Sequence, residues 1–548
     1  MVKLFLKKRE FLMLKRFIIS GFILFTVLST ELFSQTKLVV GIVVDQMRYD
    51  YLTRFEKVYG EGGFKRLMNE GTDFTYAHFN YMPTVTAVGH SSVYTGTIPY
   101  YHGIIGNEWF DRKLNRDVYC TEDTTESTIG AEGNEGKMSP RHLLSNTITD
   151  QLKLFSSGHS KVISICIKDR GAILPGGHSA DAAYWYSYNT GKFISSSYYC
   201  KALPSWVDKF NNRKLPDQYM AGDWSLSLPA DKYDMSSADG VSWEPDMFNE
   251  GKNTFPHSFK NIKPEYKYSN LVYTPYGNQL LLELAKETIV NENMGKGKYI
   301  DFLAMSFSST DYVGHAYGPS SVELEDTYIK LDKQIAELLS FLDQKVGKGK
   351  YILFLTADHG GSEAHGYLKS IKQPSGEVDR AAVMDSLSKL LTANFKTDGL
   401  IKGYSDNQVF LNYDVIKNNN LNRAQVENYS ADFLGGIQGI KNVYTRTELL
   451  KQQPDRLKKS FVLNGFNNKR SGDVIYEFAS GYHEVTGNTA THNTSHSYDT
   501  HVPMLFYGNG IPAKKVKDLV FITDIAPTVA NLIGITEPRD CFGIPLLP

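Results

Sequence analysis

Leu38-Val39-Val40-Gly41-Ile42-Val43-Val44-Asp45 decides the fold class: it is an apolar, β-branched run that ends in a carboxylate. Unbroken runs of this kind suit strands buried on both faces of a sheet, whereas a half-exposed strand alternates apolar with polar residues. Similar runs follow at wide intervals, Val162 to Ile167, Phe302 to Phe307, Tyr351 to Leu355 and Val502 to Phe506, and all are read as central parallel strands. Helical patterns lie at Asn278 to Val290, at Glu323 to Leu342 and, with Thr523 as N-cap candidate, at Asp524 to Ile533. Strands alternating with helices predict the α/β class, here a three-layer α/β/α sandwich around a mainly parallel central sheet.

A chain of 548 residues can bury a large core and still carry insertions. Residues of about 175–275, rich in Tyr, Trp, Ser, Asn and Pro, and of about 365–485, with mixed helical, strand-like and turn segments, break the strand-helix rhythm. They read as cap insertions on one domain spanning 35–548, with Arg456, Lys458 and Lys459 forming a solvated basic face. Lys plus Arg number 59 against 60 for Asp plus Glu, so the surface as a whole has no strong pull on nucleic acid or anionic membrane. Any attraction for an anion is local.

The N-terminus carries Lys3, Lys7, Lys8, Arg9, Lys15 and Arg16, then runs apolar from Phe17 to Leu28 before Ser29, Thr30 and Glu31. That is the layout of a signal peptide over 1–34. The run falls short of the roughly 20 residues that span a bilayer, so a protein exported to the periplasm or secreted, without a stable membrane span after cleavage, is expected. Cys120, Cys166, Cys200 and Cys541 permit three pairings, and their spacing selects none. Cys166 reads as a buried strand residue, and without a CxxC pair a cysteine zinc site is not expected.

Chemistry gathers where strands end. Val44-Asp45, Thr310-Asp311 and Ala357-Asp358 each put a carboxylate beyond a strand, and ligands of open α/β sheets bind outside the carboxyl ends of strands. His315 follows Asp311 by four residues and His359 follows Asp358 directly, a mixture of hard oxygen and borderline nitrogen that suits zinc. Gly314 and Pro319 suggest that Asp311 to His315 is a turn rather than a long helix. A further histidine source is Thr491-His492-Asn493-Thr494-Ser495-His496, continuing to Asp499-Thr500-His501. The remaining signals are Pro83-Thr84-Val85-Thr86-Ala87-Val88-Gly89-His90, Gly106-Asn107 and Lys168-Asp169-Arg170.

In this order, these motifs resemble those of the alkaline phosphatase superfamily, and within it the phosphate-irrepressible alkaline phosphatases that use threonine as nucleophile. The resemblance implies two zinc ions per chain. One would be held by Asp311, His315 and His492, the other by Asp45, Asp358 and His359 with Thr86 completing its shell. His496 stands near enough to replace His492, and the choice of His492 rests on its spacing to Tyr498-Asp499 in the family pattern. His90, His102 and His178 are read as structural or loop residues. Thr86, also read as a helix N-cap, would attack phosphorus through a phosphothreonine intermediate.

Asn107, Lys168 and Arg170 are implied to grip the phosphate. Two cations and an amide favour a doubly charged monoester over a diester. The expectation is a monomeric phosphomonoesterase acting on small phosphate monoesters of broad range. A phosphodiesterase or nucleotide pyrophosphatase on the same scaffold, and a noncatalytic metal-binding surface protein, are the alternatives. A sulfatase is disfavoured because the Thr86 motif lacks the Cys-x-Pro-x-Arg pattern.

Overall fold

The computed structural model describes residues 36–548 except 458, 459, 486 and 488. The expected signal peptide and the Lys458-Lys459 part of the basic face therefore lie outside the described residues.

A ten-stranded sheet organises the chain. Its strands are β1 (Leu38–Val44), β2 (Thr72–Phe74), β3 (Thr128–Ile129), β4 (Val162–Cys166), β5 (Ala182–Tyr186), β6 (Phe193–Ser196), β7 (Asp301–Phe307), β8 (Tyr351–Thr356), β9 (Met504–Gly508) and β10 (Lys514–Val516). They lie in the order β10-β2-β9-β8-β1-β7-β4-β5-β6-β3. From β8 to β5 all neighbours run parallel. Every residue of β1, β4, β7 and β8 is buried, which requires cover on both faces. Helices α1 (Thr86–Thr95), α2 (Asp169–Gly176) and α6 (Ile525–Ile533) form one packed group. Helices α3 (Pro275–Asn291), α4 (Ser309–Tyr317) and α5 (Val322–Leu342) form another. Each Val, Leu or Ile so enclosed contributes about 1.5–3 kcal/mol. This is the α/β architecture with a mainly parallel central sheet expected from the sequence.

Several local expectations change. Of the Val502 to Phe506 run, Met504 to Phe506 open β9, which pairs antiparallel to β8, not parallel, while Val502 pairs with Ala77 in a separate three-stranded sheet. β9 follows the His492 segment, which lies at the carboxyl end of β8, so the chain can only run back from that end. Residues 175–275 are not wholly an insertion, because Ala182–Tyr186 and Phe193–Ser196 join the main sheet as β5 and β6. The aromatic run Tyr184-Trp185-Tyr186 is buried there, as a strand former with large apolar faces should be. Thr523 does not cap α6. Asp524 is the N-cap residue, but its carboxylate makes no cap bond to the helix and instead accepts the N–H groups of Phe521 at 2.9 Å and Ile544 at 2.9 Å. Arg456 is not a solvated charge, since it pairs with Asp524 at 2.6 Å. All four cysteines are free thiols.

Residues of about 365–485 build a four-stranded antiparallel sheet, in the order Ile401–Ser405, Gln408–Leu411, Val474–Phe478, Ile440–Thr445. Helices Arg380–Phe395 and Arg423–Gly435 pack on it over a small core of their own that includes Leu387, Leu391, Val409, Val426, Leu434 and Val474. Among the described residues no helix is long and apolar enough to cross a membrane.

Candidate active site

Strand register brings the acidic ends together. Val44 is level with Phe307 and Val43 with Thr356, so Asp45, Asp311 and Asp358 all emerge at one edge of the sheet. The Asp45 N–H donates to Phe307 O at 2.9 Å, extending the ladder one residue beyond β1. Cys166 is level with Ser306, which delivers Lys168 to the same edge. Asp311 and His315 lie on α4, so the expected turn is a helix. Gly314 sits inside that helix, and Gly318 just past its end supplies the stop. A spacing of four residues then puts both side chains on one helical face, with His315 Nε2 3.2 Å from Asp311 Oδ1.

Two groups of potential metal ligands result: Asp311, His315 and His492, and Asp45, Asp358 and His359, each with its ligating atoms within 4.8 Å of one another. They adjoin, for the His359 and His492 rings stack at 3.6 Å between centroids. The donor chemistry fits a cation. Each imidazole points Nδ1 at a backbone carbonyl: His315 to Ala490 at 2.8 Å, His359 to Gly360 at 2.8 Å and His492 to Thr84 at 2.7 Å. A carbonyl only accepts, so Nδ1 carries the proton and Nε2 presents its lone pair to the carboxylates. Asp45 Oδ1, Asp358 Oδ2 and His359 Nε2 are buried without a hydrogen-bond partner. The alternative histidine, His496, turns Nε2 away to Phe478 O at 3.0 Å.

The buried charges perturb one another. Burial, with the Asp311 and Asp358 carboxylates close by, pushes Asp45 well above the usual carboxylate range. Burial acts in the same sense on Asp311 and Asp358, but neighbouring imidazoles and Lys168 outweigh it and hold both below that range. Burial shifts His359 down, and burial with His359 and His315 shifts His492 further down, whereas at His315 the Asp311 carboxylate outweighs burial and shifts it up.

Thr86 occupies the first turn of α1, where Val85 is the extended N-cap residue; Thr86 is thus the first helical residue rather than the cap. It is 1% exposed. Asn107 Oδ1 accepts the N–H of Ala87 at 2.9 Å, which fixes the amide with Nδ2 as its donor edge. Lys168 Nζ lies 3.5 Å from Thr86 Oγ1, 2.7 Å from Asp45 Oδ2 and 2.5 Å from Asp311 Oδ2. Burial alone would lower the Lys168 pKa, but those two carboxylates raise it, so the ammonium stays charged. Arg170, in the first turn of α2, donates to Tyr119 OH at 3.0 Å. His90 donates from Nδ1 to Thr86 O at 2.9 Å and bonds Ser306 Oγ through Nε2, a structural part as expected. His102 bonds Ser92 Oγ and His178 bonds Asp150, both in structural contacts.

Other residues enter the site without having been singled out by sequence. Gln46 bonds both ligand groups, and its only sequence signal is its place directly after Asp45. The Tyr312 ring lies 5.0 Å below Lys168 Nζ and its hydroxyl pairs with Tyr188 OH at 2.8 Å. The hairpin tip Asp406-Asn407 of the 365–485 segment reaches the Asn107 loop, where a Cβ on Gly106 would overlap the Asp406 carboxylate. Nothing local in the sequence marks such long-range contacts.

Residues 39–499 match the model of the family described as Type I phosphodiesterase / nucleotide pyrophosphatase. The chain belongs to this family and is an enzyme of the alkaline phosphatase superfamily. Among its relatives, alkaline phosphatase PhoV of Synechococcus elongatus is 44% identical over 93% of this chain and 92% of its own. Alkaline phosphatase PafA of Elizabethkingia meningoseptica is 41% identical over 94% of this chain and 95% of its own. The crystal structure of wild-type PafA superposes with a TM-score of 0.89 at 41% identity, covering 93% of this chain and 98% of that one.

Proposed function

We propose that this chain is a zinc-dependent alkaline phosphatase that hydrolyses small phosphate monoesters through a phosphothreonine intermediate. The observation that carries the reading is the convergence of Lys168 and Asn107 on Thr86 at the N-terminus of a buried helix, beside two ligand groups.

Asp311, His315 and His492 would hold one zinc and Asp45, Asp358 and His359 the other, with Thr86 in reach of the second set. When bound, the two ions supply Lewis acidity for a hydroxyl nucleophile and a leaving oxygen. The protein's own groups do the rest. The α1 N-terminus favours an anion at Thr86. Lys168, Arg170 and the Asn107 amide bind the non-bridging oxygens, which carry close to two charges in a monoester and one in a diester. The Tyr119 hydroxyl accepts from the Arg170 guanidinium and helps to orient it. The 365–485 segment closes over the Asn107 loop, and this segment is read as a cap on a single catalytic domain. Export to the periplasm or medium, a broad substrate range and a monomeric state complete the proposal.

The family description supports a second reading, a phosphodiesterase or nucleotide pyrophosphatase. Steady-state comparison of p-nitrophenyl phosphate with its bis ester separates the two. The monoester is expected to have the higher kcat/KM, and a higher value for the diester would reverse the assignment. Thr86→Ala should abolish turnover while zinc stays near two per chain; loss of zinc with turnover would deny Thr86 its role as nucleophile.

A further inference from the structure

Gln46 has a backbone conformation that its side chain does not favour. Its φ is +62°, in the left-handed region that non-glycine residues seldom adopt and that Asn or Asp tolerate better than Gln. Such strain persists only where the surroundings impose it, and it concentrates at functional sites. Here the conformation does two things at once. It turns the backbone N–H of Gln46 toward Asp358 Oδ1, at 3.2 Å, and sends the side-chain amide to Asp311, whose Oδ1 accepts from Nε2 at 2.8 Å. One residue thus bonds a carboxylate from each ligand group, and it is only 2% exposed.

The slot for that side chain is cut by glycines. A Cβ on Gly314, inside α4 between Asp311 and His315, would overlap Gln46 Oε1. A Cβ on Gly361, just after Asp358-His359, would come to 3.0 Å from the same side chain. Both ligand-bearing segments therefore carry a glycine where Gln46 passes. A residue needed only to turn the chain would be glycine itself and would need no such passage.

We propose that Gln46 is a positioning residue that sets the two ligand groups relative to each other, its side-chain amide orienting Asp311 and its backbone amide orienting Asp358. The inference rests on the two-zinc reading above. It predicts unequal effects at the two groups, because a substitution removes the side-chain bond and leaves the backbone bond in place. Partners of this kind are worth about 10- to 100-fold in metal affinity.

Two variants of the full chain test it. Gln46→Met keeps the side-chain length and the strained φ but removes the donor. Gln46→Gly removes the side chain and relieves the strain. Zinc per chain is measured after equilibration with graded chelator, alongside thermal unfolding. Both variants are expected to release one of two zincs at about 10- to 100-fold lower chelator activity than the wild type, although Gln46→Gly unfolds no earlier than Gln46→Met. Combining Gln46→Met with His492→Ala should leave one zinc at wild-type resistance, which places the effect at the Asp311 group. Unchanged release in both variants, or parallel loss of both zincs, overturns the role of Gln46. A wild-type chain that binds no zinc instead overturns the two-metal reading itself.

Discussion

The ammonium of Lys168 lies 2.5 Å from Asp311 Oδ2, and both side chains are almost wholly buried. One cation thus faces the ligand groups and Thr86 together, which makes Lys168 a sensor of total negative charge at the reacting centre. Lys168→Ala should lower kcat/KM for p-nitrophenyl phosphate by about 100- to 1,000-fold. The bis ester carries one charge instead of two and should lose less. Steady-state kinetics on both esters check this, and an equal loss on both would remove Lys168 from monoester selection.

The histidine pair His492 and His496 gives a sharper test. His492 Nε2 faces Asp311 Oδ1 at 3.8 Å, whereas His496 spends Nε2 on the backbone carbonyl of Phe478, at the end of the strand Val474–Phe478. His492→Ala is expected to leave about one zinc per chain and to abolish turnover. His496→Ala should keep both zincs and most of its activity, at a cost of about 1 kcal/mol for the lost hydrogen bond. Zinc analysis of the two purified variants decides between them.

How far the sequence reaches can be seen in these same residues. β1, β4, β7 and β8 were legible because a strand buried on both faces leaves a continuous apolar run, and the carboxylates beyond β1, β7 and β8 were legible with them. The direction of β9 was not, since an apolar run of that length reads the same in either sense. The turn expected at Asp311 to His315 failed because Gly314 has a tertiary reason to be there, the passage of Gln46, that outweighs its poor helix propensity. His492 could be preferred to His496 only by resemblance, and it is the Nδ1 contact to Thr84 that gives the preference a physical cause. Gln46 itself was invisible, because its strain and both its bonds exist only in the folded chain.

Asp73 predicts a pH dependence of stability away from the metal ligands. It lies in β2 with Oδ1 unpartnered, and burial raises its pKa to about 6. A carboxyl whose folded pKa exceeds its unfolded value binds more protons in the native state, so stability falls as pH rises through the interval between them. That interval is about pH 4 to 6, and the fall is up to about 3 kcal/mol. Asp73→Asn should flatten this limb and be more stable than wild type at pH 8. Denaturant unfolding at a series of pH values measures it, and a slope unchanged by the substitution would show that Asp73 is ionised in the native state.

Gly89 joins the nucleophile helix to the second ligand group. It lies one turn after Thr86 in α1, and a Cβ at this position would overlap the carbonyl oxygen of Asp358. In an unconstrained helix interior, glycine to alanine stabilises by about 1 kcal/mol. Here the opposite sign is expected, because neither the helix backbone nor the strand end carrying Asp358 and His359 can yield without moving the site. Gly89→Ala should therefore destabilise by about 1–3 kcal/mol. It should also lower kcat more than stability alone explains, since the displacement separates Thr86 from Asp358. Thermal unfolding and steady-state kinetics on one preparation test both parts. A variant as stable and as active as the wild type would mean that α1 can slide on the sheet end, and that the close approach of Gly89 does not set the position of Thr86.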